Sequence, residues 1–164
     1  MLSPFATIYL ALQKQIQNAL PQIKFIALNS NQLQTDSRPA LTFPFILIDF
    51  AEFSFQDLSD DVQTVMGYID LLLGFKNSTA ASSLSPTDVM QQSLIFLDTE
   101  WQLQNALQGW SPSVDMGSLT RVSTTTIANK QNMQLRKIRY SIAYTDYSAK
   151  PSNRKVKTGF GVVV

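Results

Sequence analysis

Between Phe5 and Leu20 the apolar residues Phe5, Ile8, Leu12, Ile16 and Leu20 recur at intervals of three and four. That spacing lays one apolar stripe along a helix. Ser3 offers an N-cap, Pro4 suits a first helical position, and Pro21 stops the run, so a helix is predicted over 4–19. Residues 22–28 read as a short strand. Residues 29–43 read as a polar loop, broken by Asn29, Ser30, Asn31, Asp36, Ser37 and Pro39. From Pro44 to Phe55 the chain is β-rich and at first apolar on both faces, as a central strand would be. Gln56 to Asp61 reads as an acidic hairpin connection. Residues 62–76 then form a long strand whose Val65, Ile69, Leu71, Leu73 and Phe75 share a face by period two.

Asn77 to Leu84 is small and polar and reads as a loop. Ser85-Pro86-Thr87-Asp88 opens a second helix with a cap, a proline at the first position and an acid in the first turn. Met90, Leu94, Leu97, Trp101 and Leu107 are expected to form its apolar stripe, and Gly109 stands where a C-terminal glycine belongs. Residues 118–128 and 133–147 are strand-like, with Asn129 to Asn132 as the turn between them. In the second of these, Ile138, Tyr140, Ile142 and Tyr144 fall on one face. The order implies an α+β fold: an antiparallel sheet of about four to five strands with two helices packed on one face. Leu94, Leu97 and Trp101 should then share a core with Ile138, Tyr140 and Ile142. The other sheet face would be left for neighbouring subunits.

The patterned region spans 1–147 and is expected to be a single domain, a common size for one core. Residues 148–164 have no core pattern until Phe160-Gly161-Val162-Val163-Val164. Charge divides at the same place. All 12 acidic residues lie in 1–147, whereas Lys150, Arg154, Lys155 and Lys157, four of the 13 basic ones, lie in the last segment. The expected organisation is a mildly acidic body followed by a basic arm. Only 15% of residues are charged, against about 25% in ordinary domains. A charge-poor surface is easier to desolvate, which favours a subunit over a free monomer.

The sequence has neither cysteine nor histidine. Disulfides, thiolate chemistry, the usual general base near neutral pH and the commonest zinc ligand are therefore excluded. Met1-Leu2-Ser3-Pro4 has no basic signal-peptide start, and runs such as Phe45 to Ile48 are too short to span a bilayer, so a cytoplasmic protein without a membrane partner is expected. Asp57, Asp60 and Asp61, with Asp49, Glu52 and Asp70 on adjoining strands, could in principle hold Mg²⁺ as in a small metal-dependent enzyme. A solvated hairpin turn is the favoured reading, since no lysine stands at a motif spacing. No G-x-S-x-G elbow, S-x-x-K motif or phosphate-binding glycine loop occurs. The expectation is no enzyme, no cofactor and no metal. The arm's cations could touch nucleic-acid phosphates, as in a nucleic-acid-binding module, or stay solvated. The favoured reading docks the arm on a neighbouring subunit through its β-prone apolar end. Lys150, Arg154, Lys155, Lys157, Phe160, Val162 and Val163 are thus the candidate subunit-interface residues. The 29–43 loop is a second candidate contact.

The layout resembles the tail terminator, or tail-completion, proteins of long-tailed bacteriophages. The resemblance covers roughly residues 3–147. It rests on the helix ending in Ala19-Leu20-Pro21, the aromatic strand from Pro44, the long strand Met66 to Phe75, the turn Leu107-Gln108-Gly109-Trp110, the segment Leu119-Thr120-Arg121, and the last strand with Tyr140, Tyr144 and Tyr147. The basic C-terminal extension departs from that pattern. The resemblance implies a virion protein, assembled in the host cytoplasm, that forms a ring of usually six copies at the head-proximal end of the tail. Its implied partners are itself, the tail-tube protein and the head-tail connector protein. The ring would end tube growth and offer a surface for head joining. A neck or head-tail connector protein of the same particle is the alternative.

Overall fold

The computed structural model describes residues 2–33, 41–76, 82–127 and 133–149. Helix α1 runs from Pro4 to Ala19. The Ser3 hydroxyl accepts from the Ala6 amide at 3.2 Å, and Pro4 stands in the first turn, where its missing N–H costs nothing. Ile8, Leu12, Ile16 and Leu20 are completely buried. After Pro21 the chain enters strand β1, Phe25–Leu28. Strands β2 (Phe45–Ser59) and β3 (Val62–Lys76) form a hairpin closed by Asp60 and Asp61. Helix α2 spans Thr87–Leu107 and is followed by β4 (Thr120–Ile127) and β5 (Met133–Asp146).

The five strands stand in the order β1-β2-β3-β5-β4. Pairing is antiparallel except between β1 and β2, which are parallel. The sheet is the expected antiparallel one of five strands with helices on one face, made mixed by that single parallel pair. The cause is the 29–44 connection, which is long enough to carry the chain back to the start of β2. The β2–β3 ladder also continues further than the sequence suggests. Residues 56–59 read as a connection, yet Gln56 pairs with Thr64, Asp57 with Gln63 and Ser59 with Val62. Here the partner strand, together with the Gln63 Nε2 to Asp57 Oδ1 bond of 2.7 Å, outweighs weak local propensity.

Both helices pack on one face of the sheet. The core joins the α1 stripe to Ile46 and Ile48 of β2, Val65, Ile69, Leu71 and Leu73 of β3, Ile138, Tyr140, Ile142 and Tyr144 of β5, and Leu103 and Leu107 of α2. The β3 and β5 faces are those expected. The α2 stripe is not. Leu94, Leu97 and Trp101 are exposed, Trp101 by 66%, and α2 instead buries Ser93, Thr99, Glu100, Leu103 and Leu107. The reason is helical phase. Met90, Leu94, Leu97 and Trp101 agree with one another, but Leu107 follows Trp101 by six residues, which rotates it about 120° away. Leu107 and Leu103 face the core, and the rest of the helix follows their phase.

Polar groups on the inward side of α2 have partners. The Thr99 hydroxyl donates to the Ile95 carbonyl at 2.8 Å, and the Ser93 hydroxyl donates to Val89 at 2.8 Å. Glu100 accepts from Arg136 of β5 at 2.7 and 3.2 Å, and the Tyr140 hydroxyl donates to Gln104 at 3.1 Å. The start of α2 differs slightly from expectation, with Pro86 at the N-cap position and the Ser85 hydroxyl accepting from the Ser82 amide. Gly109 has φ of 77°, a left-handed conformation that glycine adopts without strain, and its amide donates to the Leu119 carbonyl.

Candidate assembly surfaces

The sheet face turned away from the helices has three zones. At the Phe45 end, Phe45, Leu47 and Leu135 form a small second core, with Leu33, Leu41, Phe43 and Leu72 packed on it. Part of the expected contact loop therefore covers its own sheet, while residues 34–40 of that loop lie outside the described residues.

A polar row crosses the middle of this face. Asp49 stands opposite Asp70, and Asp70 stands opposite Arg139. Two carboxylates directly opposed would repel. Cations offset that repulsion. Arg139 donates to both Asp70 oxygens at 2.7 and 2.8 Å, and Lys137 Nζ reaches Asp70 Oδ2 at 2.8 Å. The Arg139 guanidinium also lies 5.2 Å from the Tyr68 ring centroid. Asp70 is only 6% exposed. Burial alone would raise its pKa. The hydrogen bonds from Arg139 and Lys137 outweigh burial and hold the carboxyl below its ordinary value. The Asp70 bond in turn raises the Arg139 pKa, against the opposing effect of its own desolvation.

Beyond this row lies a shallow concavity of about 510 Å³, bordered by Glu52, Met66, Tyr68, Thr120, Ser141 and Ala143. Glu52 is the one ionisable carboxylate on its wall, and no nucleophile is paired with a base there. Further along, the β2–β3 hairpin runs out past the helix layer and leaves Phe55, Leu58 and Met66 exposed, Leu58 by 62%.

The suggested carboxylate cluster is not assembled. Asp49 and Asp70 sit mid-sheet, Asp57 pairs with Gln63 near the hairpin tip, and Asp60 and Asp61 form its turn. Among the described residues, no group of three or more His, Cys, Asp or Glu side chains could hold a metal ion. No helix among them is long and apolar enough to cross a membrane. The candidate interface residues Lys150, Arg154, Lys155, Lys157, Phe160, Val162 and Val163 lie outside the described residues. Sequence reading missed the α2 surface: Leu94, Ile95, Leu97 and Trp101 form an exposed apolar ridge near the Phe75 end of the sheet. The signal was the mismatch in phase between Trp101 and Leu107.

Fold and surfaces define an α+β domain with a five-stranded mixed sheet, helices on one face, and apolar patches at both ends. No family model and no curated protein matches the sequence. Among solved structures, a chain of the virion of a native gene transfer agent particle aligns with 9% identity and a TM-score of 0.46, over 88% of this chain and 96% of that one. A likeness at that level decides neither fold nor role.

Proposed function

We propose that the protein is a non-enzymatic virion subunit that forms a ring, six copies in the usual form, at the head-proximal end of a phage tail. The observation that carries the reading is the pair of unlike apolar patches at opposite ends of the sheet. Phe55 and Leu58 stand on the hairpin at one end, and Leu94, Leu97 and Trp101 stand on α2 at the other. A two-fold dimer uses one patch twice. A closed ring needs two different patches that meet head to tail. The pattern shared with tail terminator proteins supplies the place in the particle. In such a ring one rim meets the tube protein and the other meets the head connector, so tube growth stops. Imaging of labelled protein in assembled particles, with native mass spectrometry of the released assembly, tests this reading. One ring at the head-proximal end is expected. Copies spread along the tail, or monomers even within particles, would overturn it.

A further inference from the structure

The α2 ridge is an apolar strip with acidic neighbours. Leu94, Leu97 and Trp101 are exposed along it, Asp98 stands among them, Asp88 opens the helix, and Thr87–Leu107 contains no lysine or arginine. Residues 150–164 have the complementary chemistry: Lys150, Arg154, Lys155 and Lys157, then Phe160 and Val162 to Val164. We infer that the ridge Leu94–Leu97–Trp101 of one copy is the docking site for residues 150–164 of another copy. The contact would be a strand-exchange-like arm between subunits. This deepens the ring reading: where the hairpin end of one copy meets the ridge end of the next, the arm that leaves the hairpin end joins that contact by lying on the ridge.

Position within the fold favours a neighbour's ridge over the chain's own. The last described residue, Ala149, follows the end of β5, where Asp146 pairs with Gln63 beside the hairpin tip. The Leu94–Leu97 part of α2 lies at the opposite end. There Phe96 packs edge-on to Phe75 at 6.5 Å, and Gln134 borders the same hollow as Ile95. Gln134 and Asp146 are separated by almost all of β5, roughly 40 Å at strand rise. Phe160 follows Ala149 by eleven residues and Val163 by fourteen, which reach about 36–40 Å and about 46–50 Å when fully extended. To reach its own ridge the arm would have to reverse direction and run most of its extended length back along the sheet before crossing the helix layer. A neighbour placed with its ridge beside this hairpin end is within easy reach. The apolar end would cover Leu97 and Trp101, and the cations would face Asp88 and Asp98.

The natural chain has no cysteine, so paired single-cysteine variants give a clean test. Leu97 and Val163 are the reporter positions, and Asn18, exposed on α1, is the control. Full-length Leu97→Cys mixed with full-length Val163→Cys should form disulfide-linked heterodimers under mild oxidation. The yield should be at least about tenfold above that of Val163→Cys mixed with Asn18→Cys. It should fall severalfold in about 1 M salt, where charge attraction is screened within about 3 Å. Adding Trp101→Ala to the Leu97→Cys partner should lower it as well. A yield equal to the control overturns the inference. So does a disulfide that forms only within the double variant Leu97→Cys/Val163→Cys and never between single variants. The assay needs no virion. Heterodimers from a protein that forms no ring in particles would leave this inference standing and remove the ring reading. A ring without heterodimers would do the reverse.

Discussion

Helices α1 and α2 lie in the same layer on the same sheet, yet they treat their apolar residues in opposite ways. Helix α1 turns Ile8, Leu12 and Ile16 inward. Helix α2 turns Leu94, Leu97 and Trp101 outward and buries Thr99 and Glu100 beside Leu103 and Leu107. A helix with one duty shows it in its periodicity. A helix that must hold the core and also present a ridge carries two stripes, and the more apolar stripe is not the buried one. Burying the polar stripe is tolerable because every step has a partner, from the Thr99 hydroxyl on its own backbone to the Glu100–Arg136 pair.

Substitution should break this contrast most clearly in α1. Leu12→Ala empties a fully buried site and should cost about 2–5 kcal/mol in urea unfolding. The Glu100–Arg136 pair comes next, because its side chains are only 10% and 20% exposed. Glu100→Gln should leave Arg136 short of its counter-charge and cost about 3 kcal/mol. The joint change Glu100→Leu/Arg136→Met should recover most of that loss. If it does not, the pair does more than satisfy itself.

Alkaline titration should sharpen the contrast. Tyr140 lies under α2 with its hydroxyl on Gln104, and burial, reinforced by Glu100 and opposed by Arg121, pushes it up to about 12. The fold therefore favours the protonated phenol. Its contribution is full below the ordinary value near 10 and is lost as pH rises from about 10 towards 12. Tyrosinate absorbance and amide exchange should show α2 loosening in that window before α1. The smallest effect is expected on the ridge. Leu97→Ala should change stability by no more than about 0.5 kcal/mol, while lowering self-association measured by sedimentation. A large loss of stability would return Leu97 to the core.

The elements whose residues serve a single face were legible in the sequence. Helix α1 falls on 4–19 and β3 on 62–76 as expected, because proline boundaries and period-two burial leave no competing reading. The alternation in β5 was legible for the same reason. Three features were not. The phase of α2 is set by Leu103 and Leu107 through tertiary contact, which a stripe of Leu and Trp can outvote on paper. The parallel pairing of β1 depends on where a connection returns the chain, and four residues carry no record of that. The outer half of the hairpin is held by its partner strand and not by its own composition. The candidate interface in the last residues rests on charge segregation, and the ridge proposed to receive it was recognisable only once Trp101 was found outside.

The Asp70–Arg139 contact has a consequence for how the sheet is assembled. The apolar faces of β3 and β5 repeat every two residues, so a slip of two would still match hydrophobic to hydrophobic along most of their length. Oil alone is a poor ruler at that spacing. A slip of two would set Lys137 or Ser141 opposite Asp70 and carry Arg139 away from it, undoing a two-pronged contact beside a second carboxylate on Asp49. One strand further on, the Phe45 and Phe53 rings lie over Gly74 and Gly67, where any other residue would put a Cβ into the ring, so β2 has its own notches. Charge and glycine thus mark the alignment that hydrophobic repetition leaves open, and the long hairpin reaches its full length with its tip residues at the right height.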